Sequence, residues 1–258
     1  MKPNLKLLLL LLTSAAFTYT ACKKSNDAPV SKTAGADVIS SQVASNLVQS
    51  LSGSYGGLNI NNGIKSPGFV TNKNSGQAIN SMNPLCGFLT DSVLNYNTNI
   101  GDTIKSHTQG RFKFYFNCVN GNLTGFTAND SLKTTGTAPG YSFIYDVIQN
   151  YNIKSLNSTN TLITVDGNLK SFVDLKYNNA AIKPSAAHTV YILTGLTIDL
   201  TKNGDITGGT ANFVSTGSNN YGVWNYTGSI AFLGDHKANI IINGKTYHAD
   251  LITGKITS

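Results

Sequence analysis

The sequence contains no glutamate and only one arginine, Arg111, so aspartate and lysine carry almost all of its charge. With 12 acidic and 19 basic residues among 258, the formal net charge is +7. These absences exclude a glutamate general acid, a Glu-x-x-His metal site and an arginine cluster for phosphate. The lysines are scattered along the chain, whereas nucleic-acid binding needs a clustered basic face. We therefore predict no nucleic-acid partner.

Catalytic motifs are missing as well. The sequence has no Gly-x-Ser-x-Gly elbow and no Ser-x-x-Lys pair. The histidines lie on separate segments without metal-ligand spacing: His107, His188, His236 and His248. Asp235-His236 is the nearest approach to an acid–base pair, but neighbouring strand residues face opposite sides, which favours a surface loop. The sequence therefore predicts no catalytic residue, no metal site and no cofactor.

An aspartate-based hydrolase is kept as an alternative. Glycoside hydrolases use two carboxylates, and Asp146, Asp174 and Asp199 lie on predicted strands. No local pattern brings any two of them together. Such an enzyme would need two aspartates that face one cleft.

The N-terminal region predicts an export signal. A basic start that ends at Lys6 precedes six leucines at positions 7–12 and small residues up to Ala21. This order is typical of a signal peptide, and the uncharged stretch 7–21 is short for a membrane span. We therefore predict a signal peptide over residues 1–21.

The cysteine that follows sharpens this prediction. Ala21-Cys22 after an apolar run resembles the lipobox of bacterial lipoproteins, in which the cysteine is acylated, although Tyr19 stands where a leucine is usual. Residues 22–27 resemble the start of many Bacteroidota lipoproteins. The resemblance implies lipidation of Cys22, a membrane partner through that anchor, and a location at the outer membrane or cell surface. An ordinary secreted protein is the alternative.

A tether and a helix should follow. Residues 22–36 are polar and lack periodicity, which predicts a flexible tether. Apolar residues then recur at helical spacing, with Asp37 as a candidate cap and Gly53 as a stop, so we predict an amphipathic helix over 37–52.

The next region, residues 52–84, is rich in Gly, Asn and Ser without clear periodicity. It predicts a long surface excursion, or a weak edge strand around 68–70.

From residue 110 onward the pattern is that of β-strands. Phe112, Phe114, Phe116 and Cys118 alternate with polar residues and should share one face of a strand. Four Asn-Gly or Asp-Gly pairs supply the positive φ angles of tight hairpins: Asn120-Gly121, Asp166-Gly167, Asn203-Gly204 and Asn243-Gly244.

About ten strands are predicted in total. Beyond 111–118 and 123–127, they cover 161–165, 141–151, 171–177, 189–201, 206–215, 221–233, 238–242 and 245–257. Sequential hairpins predict a single all-β domain over 37–258, an antiparallel up-and-down meander that forms a strongly curved sheet or incomplete barrel. A two-sheet β-sandwich is the alternative.

Trp224 and Tyr226 are the candidates for ligand stacking. Both fall on the same face of the strand that follows Tyr221, and an exposed pair of rings could stack on a sugar. The competing interpretation is that Trp224, the only tryptophan, is a core residue.

Three short motifs suggest modification. Asp91-Ser92-Val93, Asp102-Thr103-Ile104 and Asp130-Ser131-Leu132 resemble the Asp-Ser/Thr-apolar pattern of Bacteroidota O-glycosylation. The resemblance implies glycans on Ser92, Thr103 and Ser131, although Asp-Ser and Asp-Thr also begin ordinary turns.

The two remaining cysteines, Cys86 and Cys118, form an even pair in an exported chain. Such pairs are usually bridged because the compartment is oxidising. We predict a disulfide that pins the weakly structured region before residue 110 onto the first confident strand. Two separate buried thiols are the alternative.

Together these features predict a non-catalytic cell-envelope lipoprotein with a binding or structural role. A module that binds a glycan or an apolar ligand is the alternative, and it would need an exposed aromatic face or a lined cavity.

Overall fold

Strict alternation of apolar and polar side chains produces one long antiparallel sheet. The structure is a computed structural model that describes residues 32–64, 85–101 and 103–257, and 66% of it is strand. Eleven strands pair in sequence order, from β1 to β11, and the sheet does not close. The predicted open meander with one N-terminal helix is therefore confirmed.

The strands are long and are joined by short connections. Their bounds are β1 Leu89–Ile100, β2 Ile104–Val119, β3 Asn122–Ala138, β4 Tyr141–Ser155, β5 Leu162–Tyr177, β6 Ser185–Asp199, β7 Asp205–Asn219, β8 Gly222–Gly234, β9 Lys237–Ile242, β10 Lys245–Asp250 and β11 Ile256–Thr257. Short 3-10 turns lie at Ile60–Asn62 and Leu200–Lys202. We call the sheet face that carries Phe112, Phe114 and Phe116 the inner face, and the opposite face the outer face.

Helix α1, Ala36–Leu51, packs on the inner face. It begins after Gly35 and ends before Ser52, so Asp37 lies in its first turn instead of capping it. Gly53 follows with a φ of 72°, a left-handed conformation that stops the helix as predicted. The helix buries these side chains: Ile39, Ser40, Val43, Ala44, Asn46, Leu47, Ser50 and Leu51.

Aromatic rings fill the inner face at the first strands. Phe112, Phe114 and Phe116 of β2 are fully buried, which confirms the predicted alternation. Phe126 of β3 joins them, with its ring centroid 4.5 Å from that of Phe114. Burial of each such ring contributes on the order of 1.5–3 kcal/mol, so this cluster is a main source of stability.

Three of the four predicted glycine turns are found. Asn120, Asn203 and Asn243 adopt positive φ angles of 52°, 55° and 53°, and each precedes a glycine with positive φ. The prediction at Asp166-Gly167 was wrong: both residues lie inside β5, and they pair with β4. Because β4 is long and unbroken, pairing continues past this point, and an irregularity in the register with β6 absorbs the mismatch.

The start of the predicted surface excursion belongs to the core. Within Ser52–Ile64, which we call the strap, the side chains of Tyr55, Leu58 and Ile60 are buried. The suggested strand around 68–70 lies outside the described residues. Strand β1 was not predicted, because its many Asn and Thr residues hide the alternation.

The folded unit starts earlier than predicted, at Thr33. Thr33 forms a parallel bridge with Val223, and the Ala34 amide donates to the Val223 carbonyl at 2.9 Å. Ala34 is fully buried. The last residues of the predicted tether are therefore packed against β8, whereas Cys22 lies outside the described residues.

Cys86 and Cys118 lie at disulfide distance, with Cα atoms 5.6 Å apart. Cys118 pairs with Leu123 across the β2–β3 hairpin, as expected for a two-residue turn at Asn120-Gly121. The pair joins the segment before β1 to the end of β2, in agreement with the prediction. The cysteine pair thus joins the segment before β1 to β2 at one end of the sheet.

Candidate functional site

The candidate stacking platform is not exposed, and Trp224 is buried as its interpretation as a core residue expects. Trp224 lies on the inner face with 5% of its surface accessible, and its indole N–H donates to Ser215 Oγ at 3.0 Å. Tyr226 is half-buried, and its hydroxyl donates to the Ala34 carbonyl at 2.7 Å. The shared face was predicted correctly, but it points into the core, so these rings cannot stack on a ligand from solvent.

The three candidate aspartates do not meet in a cleft. Asp146 and Asp174 lie on the outer faces of the paired strands β4 and β5, where Asp146 pairs with Phe172, so the two aspartates are diagonal neighbours on an open sheet face. Asp199 instead caps the 3-10 turn after β6, where it accepts hydrogen bonds from the amide and hydroxyl of Thr201 at 2.9 and 2.6 Å.

The candidate modification sites occupy three kinds of position. Ser92 is half-buried on edge strand β1, and Thr103 is exposed in the β1–β2 turn. Ser131 is exposed on the outer face, whereas the preceding Asp130 is buried on the inner face. Thr103 and Ser131 are therefore exposed to solvent, and Ser92 is partly exposed.

Asp205, and not Asp235, is the partner of His236. Asp205 is buried and accepts hydrogen bonds from the amides of Asp235 and His236 at 2.8 and 2.9 Å. Both of those residues have positive φ, of 51° and 55°, so the carboxylate fastens a strained β8–β9 turn. The Nδ1 atom of His236 lies 3.5 Å from Asp205 Oδ1. Sequence reasoning missed this contact because 30 residues separate the two strands that meet there.

A row of polar side chains crosses the inner face under the strap. Asp130 of β3 lies directly opposite Gln149 of β4. The Leu58 amide of the strap donates to Gln149 Oε1 at 2.8 Å and to Asp130 Oδ2 at 3.3 Å. Gln149 Nε2 donates to the Ser50 carbonyl at 3.0 Å, which ties the end of α1 to the same row. Thr134 continues the row by donating to the Tyr55 carbonyl at 3.2 Å.

Three buried oxygen atoms around this row have no hydrogen-bond partner among the described residues. They are Asp130 Oδ1, Tyr151 Oη and Ser50 Oγ. An unpaired buried polar atom costs on the order of 1–3 kcal/mol. The row is therefore a costly arrangement in the middle of an apolar face, and it is the most unusual chemistry in the described part of the chain.

The burial of Asp130 changes its acidity. Only 4% of its surface is accessible, and this desolvation raises the pKa of Asp130 to about 7, against the smaller opposing effects of the Leu58 and Gln149 backbone amides. Burial, followed by the nearby charge of Asp130, raises the pKa of Tyr151 well above its ordinary value. The row therefore holds a carboxyl group that is largely protonated below neutral pH.

The outer face carries a second polar set, which is exposed. Asn129, Asn150, Asn168 and Asn212 lie in register across β3, β4, β5 and β7, with Ile192 of β6 between the last two. We call these four asparagines the amide row. Their side chains make no hydrogen bond to other residues in the described ranges, so their amides face solvent.

Tyr115 is an exposed aromatic side chain beside the amide row. It lies on the outer face of β2, two positions from Lys113, which pairs with Asn129. Its exposed fraction is 44%, against full burial of its neighbours Phe114 and Phe116. Tyr115 therefore offers an exposed aromatic ring beside the amide row.

Comparisons with protein-family models, with curated proteins and with solved structures give no match. Among the residues that the structure describes, no helix has both the length and the apolar character to cross a membrane. Over the same residues, no group of three or more His, Cys, Asp or Glu side chains could hold a metal ion.

Proposed function

We propose that this protein is a non-catalytic, lipid-anchored protein of the bacterial cell envelope that binds a neutral glycan on the outer face of its sheet. The amide row carries the proposal, because four exposed amides lie in register without an internal partner. It differs from the candidate stacking pair of the sequence, Trp224 and Tyr226, which faces the core.

The chemistry of the row fits hydroxyl groups. Each asparagine side chain offers two N–H donors and a carbonyl acceptor, and sugar hydroxyls both donate and accept. Neighbouring strands are about 4.8 Å apart, so the four strand spacings from Asn129 to Asn212 extend about 19 Å. Such a row suits an extended, uncharged chain better than a compact or ionic ligand.

Apolar contacts complete the proposed surface. Ile192 interrupts the amide row with an exposed fraction of 54%, and Tyr115 flanks the other end. The C–H faces of sugar rings pack on such side chains while their hydroxyls reach the amides. Exposed Tyr is well suited to this role, because it has an apolar ring and a polar tip.

The membrane anchor rests on the sequence. Cys22 follows a signal-peptide pattern, and the polar residues after it would hold the folded unit clear of the membrane. Metabolic labelling with a fatty-acid analogue should mark the wild-type chain but not the Cys22→Ala variant. Equal labelling of both chains would contradict lipidation of Cys22 and would leave the proposed glycan site unaffected.

Affinity electrophoresis of the full-length protein in gels that contain neutral polysaccharides tests the glycan site. Removal of two central amides in the Asn150→Ala/Asn168→Ala variant should weaken binding about tenfold or more, since each lost hydrogen bond is worth about 0.5–1.5 kcal/mol. The Asn225→Ala variant removes an exposed outer-face amide outside the row and serves as the control. Failure of every neutral polysaccharide to retard the protein, or equal retardation of the double variant, would refute the proposal.

A further inference from the structure

The strap lies so close to the polar row that its backbone requires glycine. A Cβ atom on Gly57 would lie 2.5 Å from Gln149 Oε1, and one on Gly56 would lie 2.6 Å from Thr134 Oγ1. Gly56 also has a φ of +98°, which few other residues adopt. The strap is therefore seated on the row by backbone contacts, with the Leu58 amide at their centre.

No cation lies beside Asp130 among the described residues, and the backbone amides of Leu58 and Gln149 lower its pKa by less than burial raises it. The titratable groups on this part of the inner face are tyrosines, Tyr55, Tyr145 and Tyr151, and burial raises the pKa of each, so they are neutral. The buried positions of α1 and the inner-face positions of β2 and β5 next to the row carry no charged side chain. The single N–H that Asp130 accepts from the strap is shared with Gln149.

A buried carboxylate without a cation is very unfavourable, so the site must either keep its proton or admit water. The Leu58 amide places the strap directly on Asp130, and the Tyr55 carbonyl joins it to Thr134 of the same strand, so opening of the strap would let water reach the carboxyl. We infer that the strap is an acid-tightened cover, which the neutral form of Asp130 holds on the inner face and which loosens as Asp130 loses its proton.

The direction of the effect follows from proton linkage. With the strap closed the pKa of Asp130 is about 7, and with the strap open it returns towards the ordinary value of 3.8. The closed form therefore binds more protons between about pH 4 and pH 7. Over that range the opening constant should rise about tenfold per pH unit, and it should level off above pH 7.

Opening would expose a face different from the one proposed for glycan binding. The strap covers the inner face through the buried side chains of Tyr55 and Leu58, whereas the amide row faces outward. The inference thus goes beyond the proposed function and does not depend on it. It assigns to the inner face a conformational response to acidity.

Hydrogen–deuterium exchange of the full-length, oxidised protein tests the strap directly. After correction for the intrinsic pH dependence of exchange, amides of residues 56–58 should exchange about fiftyfold faster at pH 7 than at pH 5. In the Asp130→Asn variant, which cannot ionise, their corrected rates should be the same at both pH values. The Asp205→Asn variant alters another buried carboxyl that accepts two backbone amides, and it should keep the wild-type response.

Equal corrected rates in the wild type at pH 5 and pH 7 would overturn the inference, and so would an unchanged pH response in Asp130→Asn. Should Asp130→Asn not fold, the ¹³C signal of the Asp130 carboxyl in the wild type provides the same decision. A midpoint near 4 rejects the acid-tightened strap, and a midpoint near 7 supports it only together with faster corrected exchange of residues 56–58 at pH 7. The Gly57→Ala variant should lose protection of the strap at both pH values.

Discussion

The two faces of the sheet are built from the same strands but have opposite chemistry. Along β2, Phe114 is fully buried on the inner face, whereas the next residue, Tyr115, is 44% exposed on the outer face. Successive side chains of a strand point to opposite sides. A single step in sequence therefore separates a residue that stabilises the fold from one that is free to contact a ligand.

Polar residues show the difference most clearly. On the outer face, asparagines such as Asn150 and Asn168 are solvated, so they cost nothing to the fold and remain open for binding. On the inner face, Asp130 and Gln149 must find partners inside the protein, and one oxygen of Asp130 does not. A polar side chain is thus available for binding on the outer face, whereas on the inner face it destabilises the fold unless it finds a hydrogen-bond partner.

The largest expected contrast between the faces concerns neighbouring aromatic residues. Phe114→Ala should lower the free energy of unfolding by about 3–5 kcal/mol, because it leaves a cavity in the aromatic cluster. Tyr115→Ala should change it by less than about 0.5 kcal/mol. Urea unfolding followed by circular dichroism measures both. Similar losses for the two variants would contradict the assignment of the faces.

The pH dependence of stability should separate an inner-face carboxyl from an outer-face one. Because the pKa of Asp130 rises to about 7 in the folded protein, the free energy of unfolding should fall by up to about 3 kcal/mol from pH 4 to pH 7. This fall should be absent in Asp130→Asn. Denaturation at a series of pH values measures it.

Asp91 on the outer face provides the control for that experiment. Its hydrogen bonds with Arg111 lower its pKa, so its contribution is present above the ordinary pKa and is lost only at more acidic pH. Asp91→Asn should therefore keep the wild-type fall between pH 4 and pH 7. If the free energy of unfolding of Asp91→Asn did not change between pH 4 and pH 7, the titrating carboxyl would be Asp91 on the outer face, which would contradict the assignment to Asp130.

The disulfide at the end of the sheet should stabilise both faces together. Its cysteines are 32 residues apart, and closing a loop of that length is worth about 3–4 kcal/mol. Cys86→Ser/Cys118→Ser should lose that amount in thermal or urea unfolding. Thiol titration of the unfolded, unreduced protein should find neither Cys86 nor Cys118 free, and two reactive thiols from this pair would refute the bridge.

The smallest contrast concerns the hydroxyl groups of two tyrosines. The Tyr191 hydroxyl on the inner face is shared between the Val43 carbonyl and Asn46 Oδ1 of α1, at 2.9 and 3.0 Å. Tyr191→Phe leaves these acceptors short of a donor and should cost about 1–2 kcal/mol. The same change at exposed Tyr115 should be neutral in urea unfolding, and an equal cost at both positions would argue against this contact with the helix.

Much of the sheet could be predicted from sequence, because the signals are local. Alternation fixed the inner face of β2, and the Asn120-Gly121 pair fixed the register that brings Cys118 opposite Leu123. Strand β1 escaped prediction because its asparagines and threonines blur the alternation. At Asp166-Gly167 a local turn signal was overridden by continuous pairing with β4.

The candidate sites depended on information that is not local. The sequence placed Trp224 and Tyr226 on one face of a strand, but only packing against residues such as Ala34 and Ser215 decided that this face was buried. The amide row likewise arises from the register of strands that are far apart in the chain.

By itself, the sequence determined the all-β meander, its N-terminal helix and the pairing of Cys86 with Cys118, because periodicity, turn chemistry and cysteine count act over short distances. Only the tertiary structure decided which face α1 and the strap cover. That choice determined the burial of Asp130 and the exposure of the amide row. Apolar alternation marks a buried face, but the burial of a polar residue such as Asp130 depends on what packs above it, which its own strand does not show.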